Sequence, residues 1–215
     1  SSDEQRRIRS TTIHAIIFEQ KRPANDTGMY QVFERINTSG RNLRPQEIRN
    51  CIYQGVFNKL LFELNEMEKW RILFGSDSVD SRMGDIELIL RFFTLLDVYD
   101  NDISVKQIML SKYLNDYMGD HKDESAEWIG KTRSLFEDTV THVEANIGKM
   151  AFRNLKSKAI HPAIFDAIMI AATLKIREDY DFDNCNIKEY AARREKLLQN
   201  ESFLESVSQR TTDIN

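Results

Sequence analysis

Residues 11–19 read TTIHAIIFE, and the conformation of this run decides the fold class of the chain. It is rich in β-branched threonine and isoleucine, which fit a pleated strand better than a helix. We therefore read 11–19 as a strand. A single strand makes no sheet, so its partners must lie elsewhere. The chain opens on Ser1 and Ser2 with no methionine, which fits an upstream portion missing from this sequence. On either side, DEQRRIRS (3–10) suits a short helix, and KRPANDTG is a loop by composition.

From Met29 onward the periodicity is helical. Val32, Phe33 and Ile36 share a face of a helix over about 28–38, with Gly40 placed as its left-handed C-cap. Pro45 suits the first turn of the next helix. That helix repeats apolar residues at Ile48, Ile52, Val56, Leu60 and Leu64, with Cys51, Phe57 and Leu61 widening the stripe. GSDSVDSRMGD is a loop, and IELILRFFTLLDVY is apolar nearly all round, the mark of a central helix. Further helices are expected around 105–118 and 123–147, then over HPAIFDAIMIAATLKIRE with Pro162 in its first turn, NIKEYAARREKLLQN and ESFLESVSQRT. The count comes to about six to eight helices.

Composition narrows the function classes. The 215 residues are 41% hydrophobic and 30% charged, with 8 glycines and 3 prolines, a globular and helix-prone mix. The net charge of −4 supplies no global basic field for nucleic acid, so any anion site must be local. Cys51 and Cys185 are far apart and lack His or Cys neighbours at metal-ligand spacing. Both read as buried thiols of a reducing compartment, Cys51 as a core residue. No apolar run reaches the roughly 20 residues that cross a bilayer. Cytoplasm is the expected location, with no membrane partner.

The chemistry concentrates in MYQVFERINTSGRNLRPQEIRNCIYQG (29–55). Arg35, Arg41, Arg44 and Arg49 alternate there with Asn37, Thr38, Ser39 and Asn42. The turn at Thr38, Ser39 and Gly40 and the following helix start offer free backbone N–H groups, and arginine forks match phosphate oxygens. The alternative is a solvated polar face with local pairs to Glu34. Asp80, Asp85 and Glu87 can be drawn as metal ligands, but 85 and 87 do not share a helix face, and capping the following helix suits Asp85 better. Arg91, amid Leu88, Leu90 and Phe92, reads as buried and paired, and Arg82 as paired with an acid inside the fold. His14, His121, His142 and His161 sit in unrelated contexts, and no nucleophile is marked by its surroundings, so no catalytic residue is assigned.

FERINTSGRNLRPQEIRN resembles the Phe-x-x-x-Asn block of the GmrS-like, ParB-related N-terminal domain of GmrSD-type restriction proteins. Phe33, Arg35, Asn37, Thr38, Gly40, Leu43, Gln46, Glu47, Arg49 and Asn50 match, and Ser39 replaces a glycine. RMGDIELILRFF resembles the next block through Arg82, Asp85, Glu87, Arg91 and Phe92. The resemblance implies a mainly α chain: a multi-helix bundle preceded by a short β-strand fragment of an incomplete ParB/sulfiredoxin-like α+β core. Residues 1–43 would be the remnant of that nucleotide-binding core and 44–215 the helical domain. It implies nucleotide-dependent restriction of foreign DNA in anti-phage defence, using a nucleoside triphosphate with Mg2+ in the full-length protein. On this reading Asn37, Arg35, Phe33 and Thr38 form one wall of the nucleotide site, supported by Arg41, Glu47 and Arg49.

Partners implied are an upstream ParB-like segment or a separate HNH nuclease domain or subunit, DNA only indirectly, and a possible second copy of the chain. The family's upstream Asp-Gly-Gln-Gln-Arg signature is absent, DEQRRIRSTT being no match, and no HNH pattern is present. The chain is therefore expected to be a fragment, inactive alone. The alternative function is a non-catalytic helical module for protein interaction or regulation. Direct DNA binding would show a steep salt dependence and is opposed by the acidic pI of about 5.7.

Overall fold

One helix organises the molecule. Gly84–Asp100 (α6) buries residues on nearly all sides, from Asp85 through Leu96, and the other helices pack around it. The structure, a computed structural model, describes residues 2–12, 17, 27–36, 42–101, 110–154, 159–178 and 187–208. In chain order these form α1 (Ser2–Ser10), α2 (Thr27–Ile36), α3 (Pro45–Ile52), α4 (Val56–Asn65), α5 (Glu68–Phe74), α6, α7 (Leu110–Asp120), α8 (Ala126–Asn146), α9 (Pro162–Arg177), α10 (Ile187–Leu197) and α11 (Glu201–Ser208). A 3-10 turn, Gly148–Met150, follows α8.

The fold is all-α among the described residues, and this corrects the expected strand and α+β core. Thr11, Thr12 and Ile17 carry no strand pairing, and Ile17 is exposed; the rest of 11–19 lies outside the described residues. The β-type contact among them is an isolated bridge between Arg153 and Ile160. β-branched composition measures fit to a half-buried pleated surface, and the described residues hold no sheet to provide one.

A second correction concerns the long helix read from Pro45 to Leu64. The chain breaks between α3 and α4, where Gly55 runs fully extended (φ 176°, ψ −171°) against the α7–α8 loop. Val56 N–H donates to the Lys122 carbonyl at 2.9 Å, and a Cβ on Gly55 would stand 2.1 Å from that same oxygen. Only glycine lets the two backbones approach this closely. The break rotates Val56 and Cys51 out to solvent, so Cys51 is an exposed free thiol and not a core residue.

Local signals start and stop the other helices. Ser125 caps α8 by accepting from Trp128 N–H at 3.2 Å, and Pro162 opens α9. Gly75 ends α5 in the left-handed conformation. The core is aromatic: Trp70 of α5 meets Phe136 of α8 and Phe165 of α9 edge-on, each with ring centroids 5.8 Å away. Phe57 of α4 packs likewise against Phe93 of α6. Between α8 and α9 the hydroxyls of Thr139 and Thr173 pair at 3.0 Å, and each lies within donating distance of a carbonyl one turn back on its own helix, Leu135 (2.7 Å) and Met169 (2.9 Å).

Candidate functional site

The two sequence blocks that carry the polar residues are folded onto each other. Arg49 of α3 is 1% exposed and holds four helices together. Its Nε donates to Asn115 Oδ1 of α7 (2.8 Å), and its Nη1 donates to Gln46 Oε1 and to Glu87 Oε2 of α6 (3.1 Å each). The guanidinium also stands 5.8 Å from the ring of Tyr30 in α2. Burial pushes the Tyr30 phenol up from its ordinary value, and the charge of Arg49 opposes that shift. Gln46 passes the network on, donating to Asn50 Oδ1 at 3.1 Å.

A second node lies at the start of α6. Asp85 is fully buried and accepts from Arg71 Nη1 (2.8 Å), Asn65 Nδ2 (3.0 Å), the Asp80 N–H (2.8 Å) and the Ile86 N–H (2.9 Å). Arg71 also donates to the carbonyls of Ser76 (2.8 Å) and Ser78, so it ties the loop after α5 to the helix that follows. Asp85 shares the start of α6 with Asp80: its own carboxylate takes the Ile86 N–H, and the Asp80 carboxylate accepts from Arg82 N–H (2.9 Å) and Gly84 N–H (3.0 Å). Asp85 is also the buried counter-charge of Arg71.

Arg82 ties the start of α6 to α3. Its Nη2 meets Glu47 Oε2 at 3.1 Å and donates to the Asn42 carbonyl at 2.7 Å, while Glu47 also accepts from the Arg44 N–H at 2.6 Å. Farther along α6, Arg91 forms a two-pronged pair with Asp166 of α9, in agreement with its reading as a buried, paired arginine. Burial pushes the Asp166 carboxyl up, against the pull of Arg91.

Four of the seven expected nucleotide-site residues, Phe33, Arg35, Glu47 and Arg49, are among the described residues. Asn37, Thr38 and Arg41 lie outside the described residues, as do Ser39 and Gly40. Phe33 and Arg35 are exposed on α2, whereas Glu47 and Arg49 are engaged within the fold. The reading of one wall of a nucleoside triphosphate site is therefore corrected. Among the described residues no sheet exists to form such a site, and no group of three or more His, Cys, Asp or Glu side chains could hold a metal ion. The oxygens of Asp80 and Asp85 already accept protein N–H groups, so Mg2+ with a nucleotide does not fit here. Arg71, Asn65 and Asn115 were not singled out from sequence. Arg71 does carry the same signal as Arg91, a cation flanked by apolar Trp70 and Ile72.

Comparison of the chain with protein-family models, with curated proteins and with solved structures gives no match. The assignment to DNA restriction and phage defence loses its support with the nucleotide site and does not stand. Among the described residues, no helix is long and apolar enough to cross a membrane.

Proposed function

We propose that this chain is a non-catalytic helical module for protein interaction, resident in the cytoplasm. One observation carries the reading: Glu47, Arg49, Arg82, Asp85, Glu87 and Arg91 are all engaged in ion pairs within the fold, while apolar residues beside the first block stay exposed. Phe33 and Ile36 of α2 are 38% and 46% exposed, and Leu43 is exposed on the way to α3. Arg35 and Arg44 lie exposed next to them in sequence. Apolar side chains at helical spacing with flanking cations are the composition of a contact surface and are poor equipment for catalysis. The exposed thiol of Cys51 suits a reducing compartment.

Kinship with the helical part of GmrS-like proteins is also our proposal. What supports it is that residues matched to the two family blocks pair with each other across those blocks, Arg49 with Glu87 and Arg82 with Glu47, while matched Asp85 is the buried counter-charge of Arg71. The kinship brings no nucleotide chemistry with it.

Site-specific photocrosslinking tests the interaction reading. A benzophenone amino acid at position 33 is expected to give one discrete adduct in the native host, and a label at exposed Asp77 is not. Ile36→Asp, on the exposed side of α2, should abolish the adduct without changing thermal stability. Equal labelling from positions 33 and 77 would end the proposal.

A further inference from the structure

The apolar side of α2 is buried along one edge and exposed along the other. Successive helical residues turn by about 100°. Met29, Tyr30, Val32, Phe33 and Ile36 therefore share one side of α2, and Gln31, Glu34 and Arg35 the other. Tyr30 is buried beside Arg49, Met29 and Val32 are half-buried, and Phe33 and Ile36 are exposed. Leu43 adds exposed apolar surface at the entry to α3, the helix against which α2 packs.

The charges are divided between the two edges. The same helical geometry sets Arg35 next to Val32 and Ile36, on the exposed edge, and Glu34 next to Tyr30, on the buried one. Electrostatics agree with that placement: after burial and the opposing charge of Arg49, the Glu34 carboxylate also pushes the Tyr30 phenol up. Arg44 is exposed beside Leu43 in sequence, and the carboxylate of nearby Glu47 is engaged with Arg82. Residues 1–50, which hold this surface, contain 9 lysines and arginines against 6 aspartates and glutamates; the rest of the chain contains 21 against 28. The exposed apolar strip thus lies in the basic part of an acidic chain, with cations along its open edge.

We propose that this strip binds an acidic amphipathic helix of a partner protein, with apolar residues on Phe33, Ile36 and Leu43 and carboxylates on Arg35 and Arg44. The proposal rests on the interaction reading above and adds the chemistry of the partner. An amphipathic helix presents apolar anchors at the spacing that a helical strip can take up. Cations at the rim then select and orient it, while the apolar contacts supply most of the affinity. Nucleic acid is a poorer match, because phosphates make no use of Phe33, Ile36 and Leu43, and the local surplus of positive charge is small.

The probe is the full chain carrying a benzophenone amino acid at position 33, crosslinked in the native host. Mass spectrometry of the adduct should map the joined segment to a stretch of net negative charge with apolar residues at helical spacing. In lysate, the adduct yield should fall about threefold or more between about 50 mM and about 500 mM NaCl, because rim charges are screened. Arg35→Gln should lower the yield about threefold. Lys131→Gln, the same change in net charge on the exposed side of α8, should leave it unchanged. A joined segment that is basic, uncharged or part of a second copy of this chain would overturn the acidic partner. So would an adduct with nucleic acid, a yield independent of salt, or an Arg35→Gln yield equal to wild type. Those results leave the contact surface itself standing, whereas the lack of any discrete adduct would end both readings.

Discussion

The guanidinium of Arg49 and the carboxylate of Glu87, 38 residues apart in sequence, meet at 3.1 Å between α3 and α6. The arginine is 1% exposed and the glutamate side chain 34% exposed, so the two ends of the pair differ in what their loss would cost. Removing Arg49 leaves Asn115 and Gln46 without their donor inside the fold, whereas removing Glu87 leaves the guanidinium with two amide acceptors. Arg49→Ala is expected to destabilise by about 3 kcal/mol and Glu87→Gln by about 1 kcal/mol or less, measured by denaturant unfolding. Equal losses would mean that the ion pair itself, and not the amide network, dominates.

Glycine substitutions separate close approach from simple helix propensity. A Cβ at Gly55 would stand 2.1 Å from the Lys122 carbonyl oxygen and 2.7 Å from Lys122 Cγ. Gly130, within α8, has nothing within 4 Å of its Cβ position. Gly55→Ala should cost about 2 kcal/mol or more as the α7–α8 loop is displaced. Gly130→Ala should stabilise by about 0.5–1 kcal/mol, because alanine loses less backbone entropy in a helix. Thermal unfolding of both variants reads the opposite signs directly.

These two glycines also mark what the sequence did and did not disclose. The apolar run of α6 and the prolines opening α3 and α9 were legible because each signal is local: continuous apolarity, or an N-terminal turn that tolerates proline. Pairing of Arg91 was legible because a cation within an apolar run needs a counter-charge. The Gly55 break was not, since its cause is Lys122, on a loop that periodicity cannot place beside it. The strand read at 11–19 rested on composition alone, and no sheet exists among the described residues to pair with it. The candidate site failed for a related reason. Arginines near a turn look alike in sequence whether they await an anion or, as with Arg49, already hold Glu87 and Asn115.

His142 should give the stability a dependence on mildly acidic pH. Burial lowers its pKa below the ordinary 6.5, and Asn146 Nδ2 lies 3.1 Å from its Nδ1. The unfolded chain therefore takes up a proton at a pH where the folded chain still resists it. Stability conferred by neutral His142 is complete above the unfolded pKa and is lost as pH falls from there to the lower folded value. His142→Gln, which cannot titrate, should flatten the fall in melting temperature between about pH 7 and pH 5 relative to wild type. A steeper fall in the variant would contradict the assignment.

Asp85 and Arg71 allow the buried network to be tested as a unit. Asp85 accepts four hydrogen bonds, from Arg71, Asn65 and the backbone of Asp80 and Ile86, and none of its surface reaches water. Asp85→Ala strands the Arg71 guanidinium in the interior and should cost about 3–5 kcal/mol. Arg71→Met strands the carboxylate and should cost a similar amount. The double variant removes both charges, so its loss should fall well short of the sum, with a coupling of about 2–3 kcal/mol in the double-mutant cycle. Additive losses would show that each side chain is held mainly by its other partners, the serine carbonyls for Arg71 and, for Asp85, the Asn65 amide with the N–H groups of Asp80 and Ile86. In that case the loop from Ser76 to Asp80 would be fixed by two separate anchors. Coupling of the expected size makes it one anchor, and makes the 71–85 pair the element that sets where α6 begins.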